Sequence, residues 1–543
     1  MALIYTSRES SDDPERQALL NTSKPERKAL SRISISILGV LIFIATATFV
    51  TIYYTQYHIA PKHKHNVILL ISDGHGPTSQ TYGRYFYQHI NGLPYTTQLP
   101  LDTILVGTSR TRSSSSLVTD SAAGATAFSC ALKTYNGAVA VDPQSQPCGT
   151  VLESAKANGY RTGLVVTSRI THATPAAFSA HVIDRNMEDK IAEHQIGETP
   201  LGRTVDLMFG GGLCFFLPNN SSESCRKDDR DLIAEAQHRG FSTLTTRADF
   251  DTVNVNDTSL PLIGIFALDH MAYEIDRLPA KEPSLYEMTA KALQILDKST
   301  ADSDKGFFLM IEGSKIDLAA HANDPAAQAH DILMYNEVIG LVKTFADTHP
   351  GTSVISISDH ETGGMTLGRQ PTKEYPEYIW YPEVIARVKN STEVLTQAIL
   401  KHRGTPYFAE YVRNTIVRDG LGIQDPSDEE LEALMAPGTR FELEDTLGRM
   451  VSNRAWIGWT THGHTGVDVN LYAYGAGAET LRGNHENTDI GEFIAQYLGL
   501  NLNQITQQLR VGNMSYISED TVGPTTTKSS AADQGLDYYH SRV

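Results

Sequence analysis

The chain has 543 residues, with 45 Lys and Arg against 63 Asp and Glu, a formal net charge of −18. Hydrophobic residues at 41% and charged residues at 20% describe an ordinary folded protein and exclude a wholly disordered, collagen-like or multispan membrane chain. The acidic excess argues against a nucleic-acid binder, which needs a basic footprint, and at ~150 residues per domain the length allows roughly three or four domains or one large α/β domain with insertions.

Residues 1–32 are polar and read as a cytoplasmic tail. They contain Glu15-Arg16-Gln17-Ala18-Leu19-Leu20, which resembles the acidic dileucine signal that clathrin adaptors recognise on cargo bound for lysosomes or vacuoles. Residues 33–54 hold no charge and no proline. As a helix they would extend about 33 Å, enough to cross a hydrocarbon core of ~30 Å. A cleaved signal peptide fits poorly, because the segment follows 32 polar residues and exceeds an apolar region of about 7–15 residues. Lys24, Arg27, Lys28 and Arg32 precede the span and only Lys62 and Lys64 closely follow it. This bias keeps the N-terminus cytoplasmic and gives a type II single-pass topology. All four cysteines then lie in an oxidising space. Short spacings suggest Cys130–Cys148 and Cys214–Cys225 among three possible pairings. Candidate N-glycosylation sequons stand at Asn219, Asn220, Asn256, Asn390 and Asn513.

A basic, His-rich stalk occupies 55–65, and a catalytic domain is expected over 66–510. It opens with NVILLISD (66–73), a continuous apolar run of the kind a strand buried on both faces requires. Similar runs recur at 162–168, 263–269, 306–312, 353–359 and 469–475, with helical stretches at 121–133, 150–158, 229–239, 284–296 and 326–346. This alternation predicts a doubly wound, mostly parallel central sheet flanked by helices. The charged stretch 376–450 reads as a helical insertion, and 515–543 as a flexible tail rich in Ser, Thr and Gly.

Asp73, Glu312 and Asp359 each stand at the C-terminal end of a predicted strand, the edge where open α/β sheets bind ligands. His360 follows Asp359 directly. Asp317 and His321 form an i, i+4 pair that a helix places on one face. His464 sits in a Gly-His-Thr-Gly turn before the last strand. Singly, each has a bland reading as a helix cap or a hydrogen-bonded core histidine; six converging on one edge do not. Oxygen and imidazole ligands without cysteine suit a catalytic Zn2+ or Mg2+ site. The nucleophile candidate is Ser121. Asp120 is a good N-cap before it, and the first helical turn favours an anion. A serine hydroxyl needs activation, which a neighbouring Zn2+ can supply.

These residues lie in segments that resemble the alkaline phosphatases, and more narrowly their fungal vacuolar, membrane-anchored branch. The segments are NVILLISDGHGP (66–77), VTDSAAGATAFSCALKTYNGAVAVD (118–142), HATPAAFSAHVIDR (172–185), EGSKIDLAAHANDP (312–325), SDHETGGM (358–365) and GHTGVDV (463–469), in the family's order. The resemblance implies two zinc ions, one magnesium and a phosphoserine intermediate on Ser121. It assigns Asp317, His321 and His464 to one zinc, and Asp73, Asp359 and His360 to the other. Asp73 would also bridge to magnesium, completed by Thr174 and Glu312 with His172 nearby. Arg185 matches the arginine that clamps the substrate phosphate, and its planar fork suits two phosphate oxygens. Small-molecule phosphate monoesters hydrolysed at alkaline pH, a homodimer and a vacuolar membrane location are implied with it.

Three departures stand out. His172 occupies a position where bacterial relatives often carry Asp, and His is a poorer Mg2+ partner. Leu318 replaces a usually polar or basic residue near the phosphate, and His75 replaces a common Met. His181 and His462 lie near motifs but match no ligand position and read as structural. A phosphodiesterase or sulfatase of the same superfamily is disfavoured by Ser121 with Arg185. A non-catalytic membrane glycoprotein on this fold is disfavoured by the full set of usable ligands.

Overall fold

The computed structural model describes residues 37–51, 64–511 and 514–518. The Glu15–Leu20 sequence, most of the stalk and the tail beyond 518 lie outside the described residues. The chain divides into two units, residues 1–62 and 63–543. In the first, residues 37–51 are helical and exposed. Thr48 and Thr51 return their hydroxyls to the carbonyls of Ile44 and Ala47 at 2.7 Å, so the few polar side chains there are satisfied locally. Among the described residues no helix is long and apolar enough to cross a membrane; the remainder of the 33–54 segment lies outside them.

The second unit is built on a ten-stranded sheet. Its strands are β1 (Asn66–Ile71), β2 (Leu105–Arg110), β3 (Arg161–Arg169), β4 (Leu207–Gly211), β5 (Ser242–Leu244), β6 (Leu262–Ile265), β7 (Phe307–Glu312), β8 (Thr352–Ile357), β9 (Val469–Gly475) and β10 (Gly483–Glu486). Their spatial order is β10-β2-β9-β8-β1-β7-β3-β4-β6-β5. Every pairing is parallel except those of β9, which runs antiparallel to β2 and β8.

Strand β1 shows why the run NVILLI forms a central strand. Ile68 and Leu70 enter the hydrophobic core on one side of the sheet, and Val67, Leu69 and Ile71 enter the core on the other. Alternate side chains of a strand point to opposite faces, so a strand with helices on both sides must be apolar throughout. The helices that frame the site are α1 (Ser121–Cys130), α2 (Ala173–Ser179), α3 (Lys315–His321) and α4 (Pro325–Thr348). Residues 382–455 are largely helical, including α5 (Thr392–His402) and α6 (Arg440–Ala455). Leu395, Ile399, Leu443 and Leu447 of these helices join the same core as Ile68 and Leu70. Disulfides link Cys130 to Cys148 and Cys214 to Cys225. Closing loops of 18 and 11 residues contributes about 3 kcal/mol each in the chain-entropy picture.

Candidate active site

Three adjacent parallel strands set the geometry. Ile71 of β1 lies in register with Glu312 of β7 and with Ile357 of β8. Asp73, Glu312 and Asp359 therefore emerge side by side at the C-terminal edge. With Asp317 they make four carboxylates, each 0% exposed. Gly74 allows this crowding. Its φ is +69°, and a Cβ there would lie 2.6 Å from the Cα of Asp317. Gly74→Ala is expected to cost more than about 1 kcal/mol from backbone strain alone. It should also displace Asp73 from Asp317, read as lost cation content in the purified variant.

Burial pushes the Asp73 carboxyl well above its usual range, and the neighbouring Asp359, Asp317 and Glu312 push it further. Burial likewise lifts Glu312 to about 8, with Asp359 adding to the lift against hydrogen bonds from Ser314 and Ser168. Both oxygens of Asp73, Oε1 of Glu312 and the hydroxyl of Thr174 are buried and make no hydrogen bond. Buried carboxylates this close are costly unless they take up protons or a cation sits among them.

The histidines point the same way. The Nδ1 of His464 faces the Thr119 carbonyl at 2.8 Å, and the Nδ1 of His321 faces the His462 carbonyl. A carbonyl only accepts, so each Nδ1 carries the proton and each Nε2 offers a lone pair. The two Nε2 atoms stand 3.1 Å apart, and that of His321 lies 3.3 Å from Asp317 Oδ2. Two lone pairs and a carboxylate converging on one point form a cation site. Burial holds the His464 imidazole far below the usual histidine range, with His360 and His321 adding to the effect. Burial raises Asp317, but the three imidazoles His321, His464 and His360 outweigh it and hold its carboxyl low.

Three clusters of mutually close ligand atoms result: Asp317, His321 and His464; Asp73, Asp359 and His360; and Asp73, His172 and Glu312. The donor set, imidazole and carboxylate in two clusters and mostly carboxylate in the third, fits divalent cations. His360 Nε2 lies 3.1 Å from Asp359 Oδ2 and 3.5 Å from Asp73 Oδ1. Burial opposes its protonation, yet the adjacent Asp359 lifts its pKa overall.

Ser121 is the first residue of α1, fully buried, with Oγ 3.1 Å from His360 Nε2. Asp120 caps the helix, its Oδ1 accepting from Ala123 N at 3.0 Å. Its Oδ2 accepts from Gly137 N at 2.9 Å and from Arg185 Nη1 at 3.2 Å. The other arm of Arg185 meets His172 Nε2 at 3.0 Å. The guanidinium is thereby held from both sides. Gly124, one turn into α1, would place a Cβ 3.0 Å from that of Asp359, so a small residue lets the helix seat against the carboxylate.

Sequence reasoning missed Thr362. It accepts from His360 Nδ1 at 3.2 Å and donates to Asp317 Oδ1 at 2.5 Å, joining two of the clusters. Ser168, donating to Glu312 Oε2 at 3.2 Å, and Asp120 as the anchor of Arg185 were missed as well. Asn136, donating to the Val118 carbonyl, braces the loop before Ser121. His181 is bonded to Glu153 and to the Ala140 carbonyl, away from the clusters. The His462 ring faces the His321 carbonyl and the His462 carbonyl faces the His321 ring, so His462 supports a ligand without being one. Nothing in the structure explains His75, which is buried and held at a pKa of about 4 by that burial.

The sequence profile described as "Alkaline phosphatase" matches residues 64–500. The alkaline phosphatase of Schizosaccharomyces pombe is 50% identical over 450 residues, covering 82% of this chain and 83% of that protein. The repressible alkaline phosphatase of Saccharomyces cerevisiae is 46% identical over 521 residues, 90% of this chain and 92% of that protein. Among solved structures, Thermus thermophilus alkaline phosphatase superposes with a TM-score of 0.69 at 29% identity, covering 81% of this chain and 92% of its own. With a profile match over most of the chain and fungal relatives of this similarity, the chain is an enzyme of the alkaline phosphatase family.

Proposed function

We propose that the protein hydrolyses phosphate monoesters through a phosphoserine on Ser121, with two zinc ions and one magnesium. The observation that carries this reading is the placement of Ser121 Oγ beside three converging clusters of buried ligands. The Asp317, His321 and His464 group and the Asp73, Asp359 and His360 group would hold zinc. Asp73, Glu312 and Thr174, with His172 beside them, would hold magnesium. Bound cations would supply Lewis-acid stabilisation of the oxygens that attack and leave phosphorus.

The chain's own residues position the reaction. Ser121 Oγ approaches phosphorus in line as the bond to the leaving alcohol breaks, and water later cleaves the serine–phosphorus bond. The free N–H groups of the first turn of α1 favour the phosphate's negative charge. Arg185 presents its fork to two phosphate oxygens, held by Asp120 Oδ2 on one side and His172 Nε2 on the other. Little covalent work falls to the protein beyond this orientation. Arg185→Ala is expected to lower kcat/KM for p-nitrophenyl phosphate on the order of 10²-fold, the usual cost of losing a preorganised donor. Metal analysis should give two zinc and one magnesium per chain, and EDTA should abolish activity. Chelator-insensitive turnover would defeat the reading.

The surrounding biology rests on sequence pattern alone. The 33–54 segment would anchor the protein in a vacuolar membrane in type II orientation, with the catalytic unit lumenal and Glu15–Leu20 read by an adaptor. Exposed Asn220 and Asn256 suit glycosylation, and a homodimer follows the family resemblance.

A further inference from the structure

Helix α3 has two working faces. Asp317 and His321 point to the cation clusters, while the next residue after each, Leu318 and Ala322, lies about 100° around the helix and lines a cavity of about 460 Å³. That volume falls within the ~300–1,000 Å³ of small-molecule sites. The cavity also reaches the phosphate side of the site: His270 lines it, and the His270 ring lies 5.4 Å from that of His172, the partner of Arg185.

Two polar side chains, Lys315 and Tyr273, stand in the cavity wall. Lys315 is 3% exposed. Its Nζ sits 3.8 Å above the Tyr273 ring and 3.8 Å from Glu393, too far for a hydrogen bond. Tyr273 is 6% exposed, its ring lying under that ammonium. Neither the ammonium nor the Tyr273 hydroxyl is sealed inside the protein, so both are open to the cavity. Arg440, by contrast, is engaged by Glu444 at 2.7 Å and Glu393 at 3.3 Å.

We propose that this cavity receives the leaving-group half of the substrate and selects a neutral, hydroxyl-bearing organic group of sugar or nucleoside size. The inference rests on the phosphomonoesterase reading and deepens it. Lys315 and Tyr273 supply hydrogen bonds to hydroxyl oxygens. Leu318 and Phe441 supply apolar contact for a carbon skeleton. The wall carries four carboxylates, Asp269, Asp276, Glu393 and Glu444, against two cations, Lys315 and Arg440. That balance disfavours a second anionic group on the leaving alcohol. It also gives Leu318 a role, because a lysine or other polar chain there would extend beside the cavity mouth.

The test compares glucose 6-phosphate with methyl phosphate, whose leaving group is too small to fill the cavity or reach its polar side chains, by inorganic phosphate release from the full-length enzyme. The ratio of their kcat/KM values should fall about 10-fold in Lys315→Met and about 5-fold in Tyr273→Phe, the loss of one charged and one neutral hydrogen bond. Tyr273→Phe removes a single oxygen and decides the matter if the lysine variant misfolds. A ratio within twofold of wild type in Tyr273→Phe overturns the pocket assignment. Wild-type enzyme inactive on both esters overturns the phosphomonoesterase reading and the pocket with it. Activity on methyl phosphate with an unmoved ratio overturns the pocket alone.

Discussion

Ser121→Ala is expected to lower kcat for p-nitrophenyl phosphate by on the order of 10³-fold or more, with cation content and thermal stability near wild type. The serine is fully buried at the first position of α1, and the helix is capped by Asp120, not by Ser121 itself. Alanine therefore keeps the cap, the close seating of Gly124 on Asp359 and the packing of the helix. It removes one oxygen, the atom 3.1 Å from His360 Nε2. A variant with full activity would show that the serine is a helix-start residue and nothing more.

Cation removal is the second large effect, and its sign can be turned around. Stripping the enzyme with a chelator should abolish turnover and lower the melting temperature. Free cation at a thousand times its Kd adds about 4 kcal/mol per site to the folded state. In the stripped protein the four buried carboxylates repel one another. Because the pKa of Glu312 is raised to about 8, its contribution to stability is fully present below its ordinary value near 4.5 and lost as pH rises through about 8. Asp73, raised well above its usual range, acts in the same direction. The metal-free protein should thus lose stability steadily from mildly acidic to alkaline pH, while the loaded protein does not. Asp73→Asn should raise the melting temperature of the stripped protein at pH 8 and remove most of the gain on adding zinc. A stripped protein whose melting temperature is flat between pH 5 and 8 would contradict this electrostatic account.

Much of the site was legible because it is carried by the most regular part of the fold. The runs at β1 and β7 are almost wholly apolar and β8 mixes valine and isoleucine with small hydroxyl residues, all of them buried and uncharged up to their ends, so Asp73, Glu312 and Asp359 could be read off as strand-end acids. The i, i+4 spacing of Asp317 and His321 gave their shared face. The runs at 162–168, 263–269 and 469–475 also became strands, whereas β2, β4, β5 and β10 were not visible. LVGTSR of β2 is half-exposed, LMFGG of β4 ends in two glycines, and GNHE of β10 is polar, so none shows an apolar run. Thr362 escaped notice because a hydroxyl in a two-residue strand has no pattern of its own; only the placement of His360 and Asp317 on either side gives it work. The cavity beside α3 is likewise assembled from separate segments around 270, 315, 393 and 440, and no local spacing announces it.

The pairing of β1 with its two neighbours also bears on when the active site comes into being. Asn66 holds Phe307 across 241 residues of chain, and Gly74 meets Asp359 across 285. Each cluster draws its ligands from segments far apart in the chain, His321 and His464 being 143 residues apart, and contacts of such long range form late because loop closure precedes their reward. Cation uptake thus becomes a readout of completed folding. A zinc-responsive dye followed during refolding should report the last cooperative step, after helical structure has formed. The same topology keeps a half-made chain from carrying a competent nucleophile.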